Sequence, residues 1–137
     1  KEAQLEGIEI NYKNIERIPN SLEAHRLTWL AEPNLKYELA KRIFHAYFED
    51  GKNIEDANFL MEQANIVGVD KNVLEKFAST DAGKTEVDLA IQHAKNEFVT
   101  VVPSFRLDHS FLIPGLQPVE VWENYIRRAA AIQQKRK

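Results

Sequence analysis

Apolar positions along the first hundred residues recur at three- and four-residue steps, separated by short runs of proline, glycine, asparagine and aspartate. That pattern predicts amphipathic helices joined by tight connections. Residues 1–7 read as the last turn of a helix closed by Gly7, because glycine accepts the left-handed backbone without a Cβ clash. Ile8, Ile10 and Tyr12 alternate with Glu9 and Asn11, predicting a short extended stretch. Pro19-Asn20-Ser21 is a helix start, with Asn20 or Ser21 as cap and Glu23 in the first turn. Leu22, Leu27 and Leu30, with Ala24 and Ala31, give this helix its apolar side, and Glu32-Pro33-Asn34 ends it. Leu35, Leu39, Ile43, Ala46 and Tyr47 predict the next helix, with Phe44 and Phe48 widening its stripe and Gly51 stopping it. Asp56 is placed to cap a third helix through Phe59, Leu60, Ala64 and Val67, ended by Gly68, and Asp70 a fourth around Val73, Leu74 and Phe77. Thr80 or Asp81 opens a fifth, in which Val87, Ala90, Ile91, Ala94 and Phe98 share a face.

The period changes at Phe98. Phe98-Val99-Thr100-Val101-Val102 is β-branched and aromatic and resists continuing a helix. After Pro103, Ser104–Leu107 and Phe111–Ile113 flank Asp108-His109-Ser110, the pattern of a β-hairpin with a short polar turn. Pro114–Pro118 is a rigid loop, and Pro118 or Val119 starts a last helix through Val121, Trp122, Tyr125, Ile126 and Ala129. Lys135-Arg136-Lys137 reads as a solvated tail. A hairpin alone is too small a sheet to be stable, so further strands or covering helices are required.

The 137 residues suit one domain. An apolar fraction of 44% and a net charge of -3 exclude a disordered chain. No apolar run approaches the ~20 residues of a membrane-crossing helix, and residues 1–20 carry charges throughout, unlike a signal peptide. Zero cysteine removes disulfides, thiolate-bound zinc, iron–sulfur clusters and a cysteine nucleophile from this sequence. The chain begins at Lys1 and its single methionine is Met61. It is therefore expected to be part of a longer protein, with the strands that the hairpin needs lying upstream.

Conventional catalytic signatures are missing. His25, His45, His93 and His109 show no metal-ligand spacing, so no metal site is predicted. The acid pairs Glu49-Asp50 and Glu55-Asp56 flank Gly51 and a helix start, where carboxylates serve the helix dipole. Five glycines make no phosphate-binding loop. The basic cluster Arg127, Arg128, Lys135, Arg136 and Lys137 complements the end of the last helix, and no nucleic-acid partner is predicted for a chain of this net charge. The stripe Leu39/Ile43/Phe44/Tyr47/Phe48 reads as core rather than as a ligand box. What survives is Thr100-Val101-Val102-Pro103 leading into a strand, a natural setting for a cis X–Pro bond.

Four motifs, in order and spanning about residues 5–130, carry a family resemblance. Pro19-Asn20-Ser21-Leu22-Glu23-Ala24-His25-Arg26-Leu27 resembles the P-N-[ST]-x-x-A-H-R-L opening of the helical insertion in the FrnE-like branch of the DsbA thioredoxin-fold family. Arg42 to Ile54 resembles that branch's R-L-F-x-A-Y-F-x-E-G-x-[DN]-I. Val99–Phe105 is similar to V-T-G-V-P-x-F, the cis-proline loop, and Gly115-Leu116-Gln117-Pro118 to the G-A-Q-P before the last helix. Three positions depart from the pattern: Val101 replaces a glycine, Pro114 stands where serine is common, and Leu116 replaces alanine.

The resemblance implies a mostly α fold with a small β part: a DsbA-like helical insertion followed by the α-β-β-α C-terminal half of a thioredoxin fold. Residues 1–18 would be a helix end and linker, 19–79 the helical insertion, 80–131 the C-terminal thioredoxin part and 132–137 a basic tail. The implied activity is dithiol–disulfide exchange through a C-x-x-C upstream of Lys1, this chain being inactive on its own. Implied substrate-binding residues are Val102 and Pro103 in the loop opposite the cysteines, Asn20, Ser21 and His25 at the opening of the helical cap, and Gly115 and Gln117 at the rim. No cofactor is implied. Implied partners are an extended or unfolded protein substrate or a low-molecular-weight thiol, without nucleic acid or membrane. Homodimer formation through the hairpin edge is expected if no N-terminal segment is present. The expected location is cytoplasmic. Two other readings stay open: a relative of the kappa-class glutathione transferases and 2-hydroxychromene-2-carboxylate isomerases, which use glutathione and a serine, and a non-catalytic helical binding or chaperone module.

Overall fold

The computed structural model describes residues 5, 7–15, 17–107 and 111–136. The fold is mostly α with a small β part. Its helices among the described residues are α1 (Leu22–Leu30), α2 (Lys36–Phe48), α3 (Ala57–Val67), α4 (Lys71–Ser79), α5 (Lys84–Asn96) and α6 (Val119–Arg136). Two strands, β1 (Ser104–Leu107) and β2 (Phe111–Pro114), form an antiparallel pair with Phe105 opposite Ile113 and Leu107 opposite Phe111. The chain divides into two compact units, Lys1–Leu89 and Ala90–Lys137.

In the first unit α1 packs on α2, α3 and α4. The helical stripes meet in a core of Leu27, Leu39, Ile43, Leu60, Ala64 and Phe77, extended by Ile54 and Val69 from the connections. Leu27, Leu39 and Leu60 have no solvent exposure. The helix ends follow their local chemistry. The Asp56 carboxylate accepts from the Asn58 and Phe59 amides at 2.9 and 3.4 Å and caps α3. Gly68, at φ +90°, closes that helix in the left-handed conformation. Asp70 accepts from the Asn72 amide at 2.8 Å and caps α4. At the start of α1 the work is done one residue earlier than Ser21. Ser21 occupies the cap position without a side-chain cap bond, while Asn20 Oδ1 accepts from the Leu22 amide at 3.0 Å.

Buried polar groups join the helices. Gln63, only 8% exposed, accepts at Oε1 from Arg42 Nε (3.3 Å) and Nη2 (3.1 Å), tying α2 to α3. Arg26, 6% exposed, lies among the apolar positions of α1. Its guanidinium donates to the carbonyl oxygens of Phe77, Thr80 (2.8 Å) and Ala82 (2.9 Å), pairs with Glu23 (2.6 Å) and stacks over the Phe77 ring at 4.4 Å. One side chain thereby satisfies the end of α4 and the connection that follows it.

The second unit is built on its hairpin. Phe105, Leu107, Phe111 and Ile113 share the face that paired registers place together. Phe105 meets Trp122 edge-on at 5.0 Å, and Phe111 meets Tyr125 at 5.4 Å, so α6 covers that face. Ile113 is fully buried. Arg106, on the opposite face, pairs with Glu97.

Several elements differ from the sequence expectation. Ile8–Asn11 have no regular structure and Tyr12–Asn14 form a 3-10 turn rather than a strand. The Asn11 amide donates to Phe48 O at 2.8 Å, so this segment is tied to a helix end instead of a strand partner. Helix α5 starts at Lys84, not at Thr80 or Asp81. The Thr80 hydroxyl donates to Lys76 O and accepts from the Ala82 amide, Arg26 takes the carbonyls of Thr80 and Ala82, and Gly83 is left-handed at φ +82°. Those bonds hold the connection out of helical geometry. Within the α2 stripe Leu39, Ile43 and Ala46 are buried, but Phe44 is 62% exposed and stacks on Phe48 at 5.8 Å. Helix α6 continues through Arg136, because Ala129–Ala131 and the residues after them contain no breaker. Lys135 and Arg136 therefore belong to a helix rather than a tail. The helix end expected at residues 1–4 and 6, the turn Asp108–Ser110 and Lys137 lie outside the described residues.

Candidate functional site

The loop after α5 begins with a backbone that leaves the helix sharply. Phe98 adopts φ +59°, a conformation that costs an L-residue about 1 kcal/mol, and the β-branched residues after it cannot resume the helix. The Val99 amide still donates back to Ala94 O at 3.0 Å, closing the helix end. The chain then runs exposed through Thr100, Val101 and Val102 to Pro103, and the Val102–Pro103 peptide is cis. At the other end of the hairpin Gly115 turns at φ +69°, and its amide donates to Pro103 O at 2.7 Å. A positive φ there explains the glycine, since a Cβ would meet nothing within 4 Å.

The structure thus brings Val102, Pro103, Gly115 and Gln117 onto two abutting loops. Val102 is 88% exposed and Pro103 is exposed; Gly115 and Gln117 are half-buried. Gln117 Nε2 donates to Pro114 O at 2.5 Å, and the Ser104 hydroxyl donates to Val101 O at 2.5 Å. Both polar side chains are spent on the loops' own backbone.

Asn20, Ser21 and His25 belong to the first unit, at the entrance of α1. The Asn20 amide donates to Glu55 Oε1 at 2.6 Å, and Arg17 pairs with the same carboxylate. Glu55 therefore anchors the approach to α1, a role its position before Asp56 did not suggest. His25 is exposed between the buried Ala24 and Arg26. Sequence reasoning passed over Arg26. The available signal was a cation among the apolar positions of α1, three residues after Glu23.

Two of the hollows in the first unit border residues already described. One, about 500 Å³, is lined by Glu23, Arg26, Met61, Phe77 and Thr80. The other, about 590 Å³ and almost wholly apolar, is lined by Ile8, Ile10, Tyr37, Phe44 and Phe48. His45 stands at the edge of the second, 3.7 Å from Glu49 and 3.4 Å from Asp50. Among the described residues no group of three or more His, Cys, Asp or Glu side chains is placed to hold a metal ion, and no helix is long and apolar enough to cross a membrane. With no cysteine in the sequence, these residues can bind and orient but cannot supply a thiolate.

Comparison with known proteins agrees with this arrangement of helices and hairpin. The uncharacterized protein YwbO of Bacillus subtilis (strain 168) is 30% identical over 137 residues, covering 98% of this chain and 66% of the relative. The chain thus spans a little under two thirds of that protein's length. The profile of the DSBA-like thioredoxin domain matches residues 1–127. The chain belongs to the family of DSBA-like thioredoxin domains.

Proposed function

We propose that this chain is the C-terminal part of a FrnE-like dithiol–disulfide oxidoreductase of the cytoplasm, whose C-x-x-C lies upstream of Lys1. The observation that carries the reading is the pair of abutting loops, Pro103 on one and Gly115 on the other, joined by the 2.7 Å bond from Gly115 N to Pro103 O. Membership in the DSBA-like family supports it. Val102 and Pro103 offer an extended polypeptide an exposed edge opposite the cysteines, and Gly115 and Gln117 form the rim. Asn20, Ser21 and His25 are assigned to the helical cap. Residues 19–79 are the helical insertion and 80–131 the C-terminal thioredoxin part.

The chemistry follows from thiol exchange. A thiolate attacks one sulfur of the substrate disulfide and the other sulfur leaves as a thiolate. The second cysteine then attacks the mixed disulfide and releases the reduced substrate. This chain's contribution is to hold the substrate backbone in line for that attack.

The nucleotide sequence upstream of the Lys1 codon tests the reading. A continuous frame encoding a C-x-x-C at the start of a helix is the expected result. A lone serine at that place supports glutathione chemistry instead, and a frame with neither leaves a non-catalytic binding module.

A further inference from the structure

The chain approaching α1 is fastened to the α2–α3 connection at Asn11, Asn14, Arg17 and Asn20, each three residues after the last. The Asn11 amide donates to Phe48 O at 2.8 Å. Asn14 lies against Gly51, where a Cβ would sit 2.5 Å from Asn14 Cβ and 2.8 Å from Asn14 O. Gly51 is left-handed at φ +65°, so a larger residue there would push this segment away. Arg17 pairs with Glu55, and the Asn20 amide donates to Glu55 Oε1 at 2.6 Å. Glu55 is itself held in place. Its amide donates to Asn53 Oδ1 at 3.1 Å, and the next residue, Asp56, caps α3.

We propose that Glu55 is a positioning residue for disulfide exchange, fixing through the Asn20 amide the entrance that Asn20 and Ser21 present to substrate. The inference rests on the oxidoreductase reading and adds to it a residue that need not touch substrate. Two observations set this role apart from plain stabilisation. The Arg17 side chain is 68% exposed, and an ion pair so open to water contributes little to stability. The bond to Asn20 runs from a backbone amide to a carboxylate and is short, a kind that fixes geometry. Asn20 is thereby held from both sides, its amide by Glu55 and its Oδ1 by the Leu22 amide. Ser21 makes no cap bond of its own, so its place follows that of Asn20. A binding group displaced by about 1 Å can cost up to about 100-fold in a reaction that depends on it.

The test compares Glu55→Ala and Glu55→Gln in the product of the longer reading frame, with a peptide closed by one disulfide as substrate. Glu55→Ala is expected to raise KM about tenfold and to leave kcat within about twofold, because the entrance binds substrate before the thiol chemistry begins. Glu55→Gln keeps an acceptor for the Asn20 amide and is expected to bring KM back to within about threefold of the parent. In the 137-residue chain, hydrogen exchange at the Asn20 amide is expected to quicken at least about tenfold in Glu55→Ala, with the thermal midpoint unchanged. An unmoved KM, a Glu55→Gln variant as impaired as Glu55→Ala, or an Asn20 amide that exchanges as before overturns the role. So does a lowered thermal midpoint, which marks Glu55 as a structural residue. A longer product without turnover removes the oxidoreductase reading and this role with it, whereas turnover with an unmoved KM removes the role alone.

Discussion

Arg26→Ala is expected to destabilise the helical unit by at least about 3 kcal/mol, the usual consequence of removing one partner from a buried charged network. The guanidinium is 6% exposed and serves the carbonyls of Phe77, Thr80 and Ala82, the Glu23 carboxylate and the Phe77 ring. Truncation leaves those acceptors without their donor, and water reaches them only from the hollow lined by Glu23, Phe77 and Thr80. It also removes the stem that packs beside Gly83, where Arg26 Cγ lies 3.2 Å from the place a Cβ would take. Arg26→Lys is expected to recover less than half of the loss. A single ammonium on a flexible stem cannot reach acceptors that a planar fork meets together. The chain holds two tryptophans, Trp29 in the first unit and Trp122 in the second. Urea unfolding followed by Trp29 fluorescence in a Trp122→Phe background therefore reports on the first unit. A loss below about 1 kcal/mol for Arg26→Ala contradicts this role.

Leu60→Ala is the second large effect, with an expected cost of about 3 kcal/mol. Leu60 has no solvent exposure and sits on α3, the helix that packs on α1, α2 and α4. Its removal costs the transfer of the lost methyl groups and leaves a cavity that three surrounding helices cannot close together. Leu60→Met keeps the volume and is expected to cost less than about 1.5 kcal/mol. The same urea experiment checks both variants. Equal midpoints for Leu60→Ala and the parent chain would show that the leucine is not the hub of this core.

The helical unit was largely legible because its signals are local. Asp56, Gly68 and Asp70 mark helix ends through bonds to residues two to four away, and the chain makes those bonds where expected. The hairpin was legible for the same reason, in two short apolar runs, Ser104–Leu107 and Phe111–Ile113, set on either side of a polar turn. What the sequence concealed depends on partners far along the chain. The start of α5 is set by Arg26, more than fifty residues earlier. The extended reading of Ile8–Tyr12 failed because Asn11 bonds to Phe48 O, a helix end that no alternation of side chains reveals. Phe44 and Phe48 fall on an apolar stripe wider than the core they face, and periodicity does not say which edge of a stripe stays in water.

The candidate site divides in the same way. Pro103 was singled out from its neighbours in sequence and Gly115 from the family resemblance, and the structure joins them through one backbone hydrogen bond. The bonds of Ser104 and Gln117 to their own loops were not legible, because a hydroxyl or amide gives no sign in sequence of whether it faces solvent or backbone.

Reduction of insulin in the presence of dithiothreitol tests the oxidoreductase reading most directly. The 137-residue chain, which contains no cysteine, is expected to leave precipitation at the background rate. The product of the longer reading frame is expected to accelerate it, and replacing the first cysteine of its C-x-x-C by serine to abolish the acceleration. Turnover by the 137-residue chain itself, or a longer product that leaves the rate at background, contradicts the reading.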